Sequence, residues 1–80
     1  MFHVYILYSK SVQEYYVGST EDVAKRLVQH NAGKGNFTAK GIPWELVWSA
    51  SFETRRLAVA FEMKIKKRGI SRYIQDNNLI

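Results

Sequence analysis

Apolar positions along the 80-residue chain change period several times, and each change marks an element. His3–Tyr8, rich in β-branched and aromatic side chains, predicts a strand. The polar stretch Ser9–Glu14 predicts a turn and Tyr15–Ser19 a second strand, which together make a β-hairpin. Val23, Leu27 and Val28 then recur at helical spacing, with Ala24 extending the same face. Ser19 or Thr20 is the expected cap of this helix, Glu21 and Asp22 suit its positive end, and Asn31 and Gly33 offer a stop. Gly33–Pro43, with three glycines and the only proline, predicts a surface loop. In Trp44–Phe52, Trp44, Leu46 and Trp48 alternate with Glu45, Val47 and Ser49, as in a third strand. Thr54 is the expected cap of a helix over Arg55–Arg68 whose buried stripe is Leu57, Phe61 and Ile65. Gly69 ends it, and Ile70–Asn78 predicts a third, short helix. The expected fold is a single α+β domain over residues 1–80, a small three-stranded antiparallel sheet flanked by helices in the order β-β-α-β-α-α.

Composition narrows what such a domain can do. With 46% hydrophobic residues it has material for a core, so a disordered chain is not expected. The absence of cysteine excludes disulfide scaffolds, thiolate zinc sites and cysteine nucleophiles. No apolar run exceeds five residues, against the roughly 20 a membrane helix needs, so the chain reads as soluble and cytoplasmic. The formal charge of +5 is uneven: residues 1–50 carry +1 and residues 51–80 carry +4. Between Arg55 and Arg72 seven basic side chains accompany one acid, Glu62. A stripe of this kind suits phosphate backbones or an anionic membrane surface, and it equally suits a solvated helix face.

Three small constellations could carry chemistry. Pairing Tyr5 with Tyr16 centres the hairpin turn between Lys10 and Ser11 and sets both phenols on one face of the sheet, with Gly18 opposite His3. Ordinary aromatic packing would look the same. Asp22, Arg26 and His30 share one face of the first helix, near that pair, although Asp22 and Arg26 could simply form a surface ion pair. Glu62 lies at the edge of a buried stripe, where it could pair with Lys66 four residues on or hold a divalent metal.

Taken in order, these residues resemble the GIY-YIG nuclease domain. The first motif is Val4-Tyr5-Ile6-Leu7 and the second Tyr16-Val17-Gly18, with ten residues between Tyr5 and Tyr16. Arg26, His30 and Glu62 follow in the family's order. The stretches His30-Asn31-Ala32-Gly33-Lys34-Gly35 and Ile65-Lys66-Lys67 are similar to those of the short stand-alone bacterial members. The chain departs from the pattern in having His3-Val4-Tyr5 for Gly-Ile-Tyr and Val17 for Ile. The resemblance implies a divalent-metal-dependent endonuclease acting on DNA rather than RNA, on branched or damaged structures. It implies Mg²⁺ or Mn²⁺ on Glu62, with Asn77 or Asn78 nearby, and Arg26 on a non-bridging phosphate oxygen. One of Tyr5 and Tyr16 would act as base, and His30 as proton relay or phosphate contact. Lys34, Lys40, Lys66 and Lys67 would touch the nucleic-acid backbone. Most characterised family nucleases carry further domains that choose the substrate, so a protein partner is the expected source of specificity. Two other readings stand beside this one: a non-catalytic nucleic-acid-binding module that keeps the site, and a small partner-recruiting domain whose charge serves solubility.

Overall fold

The computed structural model describes residues 1–33 and 38–79. Strands β1 (Phe2–Ser9), β2 (Glu14–Thr20) and β3 (Trp44–Phe52) form an antiparallel sheet in the order β2-β1-β3. Helix α1 (Val23–Asn31) follows β2, and a 3₁₀ turn (Thr38–Gly41) precedes β3. Helices α2 (Arg55–Arg68) and α3 (Ile70–Asp76) complete the chain, so the element order is the expected one. Strand β1 is central because its apolar run is continuous: Val4, Tyr5, Ile6 and Leu7 are all buried, two on each face. Val4 and Ile6 meet Val17, Ala58, Ile65 and Ile74 on the side covered by α2 and α3. Tyr5 and Leu7 meet Trp44, Tyr16, Val23 and Leu27 on the α1 side.

The hairpin register differs from the expected one by two residues. Tyr5 stands opposite Gly18, and Tyr16 opposite Leu7. A slip of two keeps every side chain on its face, so the two phenols still share one. The reason lies in Gly18: a Cβ there would come within 2.5 Å of the Tyr5 hydroxyl, so the glycine provides the space the phenol occupies. The turn accordingly centres between Ser11 and Val12, with the buried Ser9 hydroxyl accepting the Val12 N–H at 3.3 Å.

Other details are corrected as well. Because β2 pairs out to Thr20, the cap of α1 is Asp22, whose carboxylate accepts the Lys25 N–H at 3.0 Å. Val28 is 68% exposed, and the apolar stripe of α1 runs instead through Val23 and Leu27 to His30. On α2, Leu57 is 53% exposed and Ala58 takes its place, so the inward stripe is Ala58, Phe61, Glu62 and Ile65. In β3 the alternation breaks. Ile6 pairs with Trp48 and Leu7 with Leu46, so Val47 is the extra residue of a bulge. Trp44 therefore packs on the α1 side and Trp48 on the other, against Phe61 and Tyr73. Thr54 caps α2 as expected, accepting the Leu57 N–H at 3.2 Å, and Gly69 (φ 97°) separates α2 from α3. Helix α3 stops at Asp76, where the Asn77 amide turns back to the Tyr73 carbonyl at 2.8 Å.

Candidate active site

Tyr5, at the centre of β1, is 2% exposed, and its hydroxyl lies 3.0 Å from His30 Nε2. The histidine reaches it because α1 begins two residues after β2 and runs back across the same face of the sheet. Val23, Leu27 and His30 are spaced i, i+4, i+7, which turns the imidazole inward with the apolar side chains. Tyr16 completes the group, its ring centroid 5.0 Å from that of His30 and 6.4 Å from that of Tyr5. Trp44 stands 6.2 Å from Tyr16 as a back wall.

Charge reaches this cluster from two helices. Burial raises the Tyr5 pKa above the ordinary phenol value; Tyr16 and Glu62 add to the rise, and the Arg26 guanidinium opposes it. Burial also lowers the His30 pKa from its ordinary 6.5, and Arg26 lowers it further, so the imidazole is neutral at pH 7. Arg26 on α1 and Glu62 on α2 thus both act on the Tyr5 phenol, although they approach from opposite faces of the sheet. Arg26 is exposed, and its neighbour on the helix face, Asp22, is spent on the cap rather than on an ion pair with it. Glu62 is only 15% exposed and holds Lys66 at 2.7 Å, so the expected surface pair forms on a carboxylate that is largely inside.

The remaining predicted contacts divide. Lys66 is at the site through Glu62. Lys67 lies about 140° round the helix from Glu62 and lines an outward hollow with Ala60, Met63, Lys64 and the stem of Lys66. Lys40 is exposed on the 3₁₀ turn, and Lys34 lies outside the described residues. Asn77 is occupied by the Tyr73 carbonyl, and Asn78 lines a separate hollow at the end of α3. His3, where the motif has glycine, is turned toward β3, its Nδ1 3.0 Å from the Ser51 hydroxyl.

Two contributions were not foreseen. The Asn31 side chain brackets the Trp44 backbone, accepting its N–H at 2.6 Å and donating to its carbonyl at 3.2 Å. This ties the end of α1 to the start of β3 and so holds His30 and Trp44 on either side of Tyr16. The sequence signals for it are the continuation of the α1 stripe from His30 to Asn31 and the place of Asn31 in the His30–Gly35 stretch. Arg26 also opens onto a hollow of about 340 Å³ that it lines with Glu21, Asp22, Lys25, Gln29 and Arg55. Three cations and two carboxylates meet there, with Arg55 paired to Glu21 at 3.6 Å, a grouping that separation along the chain conceals.

The hairpin of β1 and β2 thus carries two phenols that α1 supplies with an inward histidine. The family model of the GIY-YIG catalytic domain matches residues 1–74, and the chain belongs to this family. It is 34% identical over 55 residues to a UPF0213 protein of Streptococcus pneumoniae serotype 4, covering 68% of this chain and 56% of that protein. A UPF0213 protein of Streptococcus pyogenes serotype M5 is 41% identical over 54 residues, 66% of this chain and 59% of that one. The matches therefore span less than two thirds of these curated relatives. The solution NMR structure of a UPF0213 protein from Bacillus halodurans superposes with a TM-score of 0.60 at 32% identity, over 99% of this chain and 85% of that one.

Proposed function

We propose that this chain is a divalent-metal-dependent endonuclease that hydrolyses phosphodiester bonds in DNA. The observation that carries the reading is the cluster at Tyr5: the His30 Nε2 lies 3.0 Å from its hydroxyl, and the Tyr16 ring packs against both. The donor set fits a hard divalent cation. Among the described residues no three His, Cys, Asp or Glu side chains cluster as a closed metal cage, and Glu62 stands as a single largely buried carboxylate. Mg²⁺ or Mn²⁺ accepts that arrangement, completing its shell with water and phosphate oxygens. Held by Glu62, the ion would supply positive charge to the scissile phosphate and the leaving oxygen.

The chain's own groups do the rest. Arg26 donates to a non-bridging phosphate oxygen, for which the planar guanidinium is suited. Tyr5 takes a proton from the attacking water while its own proton moves to His30 Nε2. Burial opposes ionisation of this phenol, so a neutral imidazole within hydrogen-bond reach matters more than a free tyrosine would. Tyr16 orients the water or the phosphate. Lys66 is released from Glu62 to the DNA backbone, and Lys34 and Lys40 add contacts outside the reacting centre. Lys67 contributes long-range attraction from the outward face.

The domain is only 18 Å along its shortest axis, which leaves it little surface with which to grip a regular duplex by itself. We therefore assign branched or damaged DNA as substrate, with a partner protein supplying finer choice and the cytoplasm as the place of action. Among the described residues no helix is long and apolar enough to cross a membrane. One observation favours a binding module without catalysis: Lys66 already satisfies Glu62 without a metal. Cleavage separates the two readings. Branched DNA is expected to be cut with Mg²⁺ or Mn²⁺ and left intact with chelator, and Arg26→Ala is expected to lower the rate by about 100-fold or more. Binding without turnover under every metal condition would establish the other reading.

The lowered pKa of His30 gives a pH signature. The folded value is depressed, so its contribution to stability is present above about pH 6.5 and is lost as the pH falls through the folded value. Cleavage is expected to share that acid limb, because imidazolium cannot accept the Tyr5 proton. Melting temperatures and rates between pH 5 and 8 check this. An acid limb unchanged in His30→Asn would remove His30 from the relay.

A further inference from the structure

On the α3 side of the β2 edge, across the sheet from Tyr5, Tyr16 and His30, is a second hollow of about 440 Å³ that the chemistry above does not use. It is lined by Tyr15, Ser71, Ile74, Gln75 and Asn78. We infer that it is a nucleobase pocket, holding one base of the strand whose phosphate lies at Tyr5 and Glu62. The inference rests on the nuclease reading and adds to it a point of substrate recognition.

The lining has the composition a base requires. Ile74 is buried and forms an apolar floor. Tyr15, braced against Tyr8 at a centroid distance of 4.9 Å, supplies an aromatic wall that is already ordered. Among the described residues, the Ser71 hydroxyl and the Gln75 and Asn78 amides make no intramolecular hydrogen bond. Each amide offers a donor and an acceptor to the edge of a base. No charged side chain lines the hollow, so the group it takes is flat and neutral rather than a phosphate. The cations that suit phosphates, Arg26, Arg55 and Lys66, all lie outside it. A volume of this size falls in the range of small-ligand sites.

Its position connects it to the site. Tyr15 lies three residues along β2 from Gly18, about 10 Å of strand, with its side chain on the opposite face of the sheet from Tyr5. A nucleic-acid strand that reaches both passes round the β2 edge, and the rise along β2 alone spans about three stacked nucleotides. Lys66, one turn beyond Glu62, leads α2 toward the loop into α3. A backbone at Glu62 and Lys66 on α2 would reach the hollow from the face that α2 and α3 share, with an unstacked base. Single-strand binders use aromatic platforms in this way beside a basic track.

The test is an abasic scan of the parent protein. A 12-nucleotide single-stranded DNA is made with one abasic site at each position in turn, and binding is measured by anisotropy in chelator, where no strand is cut. One position is expected to weaken binding about ten-fold. Tyr15→Ala and, separately, the surface variant Gln75→Ala are each expected to flatten that minimum, whereas Lys66→Ala should weaken all strands alike and reduce the salt dependence. Gln75→Ala leaves the core intact, so the result does not hinge on whether Tyr15→Ala folds. Salt-dependent binding with a flat scan would overturn the pocket while leaving the nuclease reading standing. No binding to any strand would overturn the pocket, whereas the nuclease reading falls only if branched DNA is also left uncut in Mg²⁺ and Mn²⁺. A flat scan together with Tyr15-dependent binding of free deoxynucleoside monophosphates would reassign the hollow to a free nucleotide and overturn its role on a strand.

Discussion

Glu62→Gln is expected to lower DNA cleavage about 1,000-fold while leaving strand affinity equal to or above that of the parent. The substitution keeps the shape of a side chain that is 15% exposed within the Ala58–Ile65 stripe, so the packing of α2 survives. It removes the single negative charge that would hold a hard cation, while glutamine can still accept from Lys66. A carboxylate beside a phosphate is repulsive unless a cation lies between them. Losing it should therefore cost turnover and not binding. Cleavage in Mg²⁺ and anisotropy in chelator, on the same branched substrate, give the two numbers. A variant that cuts within ten-fold of the parent would remove Glu62 from the chemistry.

Gly18→Ala is the second large effect, and it acts through a residue with no chemistry of its own. The new methyl carbon would lie 2.5 Å from the Tyr5 hydroxyl oxygen and 2.8 Å from Cζ. The phenol, buried beneath α1 and tied to His30, cannot swing aside without abandoning that bond. Overpacking of this kind costs about 1–3 kcal/mol. For a domain of this size each kcal/mol lowers the melting temperature by about 4–8 °C. Cleavage should fall with it, because the Tyr5–His30 contact is displaced even in the molecules that remain folded. Thermal melts and the His30 ring signals by NMR follow the two consequences separately. A variant with the parent's melting temperature and unchanged His30 signals would show that the strand absorbs the methyl and that Gly18 is not required.

Gly18 also shows where sequence reasoning stopped. Two tyrosines on a short hairpin were enough to place both phenols on one face, because strand periodicity is 2 and any even slip preserves it. The register itself depended on which residue could lie under the Tyr5 ring, a three-dimensional fit that no pattern along the chain encodes. The bulge at Val47 is similar. Alternation through Trp44, Leu46 and Trp48 looked regular, and only pairing with Ile6 and Leu7 revealed the extra residue that sends the two tryptophans to opposite faces. On the helices, the errors came from giving apolar character priority over phase. Val28 and Leu57 are apolar and exposed, whereas His30 and Glu62 are polar and turned inward. Both lie in phase with the buried stripes, at positions where a polar residue signals a site as much as a flaw in the pattern.

The linear order of residues determined the α+β class, the antiparallel hairpin, the capped basic helix and the family, because each rests on local periodicity, turn chemistry or motif spacing. It also named Tyr5, Tyr16, Arg26, His30 and Glu62 as a set. Only the tertiary structure decided how that set meets. His30 binds the Tyr5 hydroxyl, Asn31 fastens Trp44 behind Tyr16, Arg26 and Glu62 approach from opposite faces, and Lys67 turns outward. The physical reason is that periodicity assigns a side chain to a face, whereas contact between elements depends on register, helix phase and the volume available at the crossing. In this chain that volume is set by the missing side chain of Gly18.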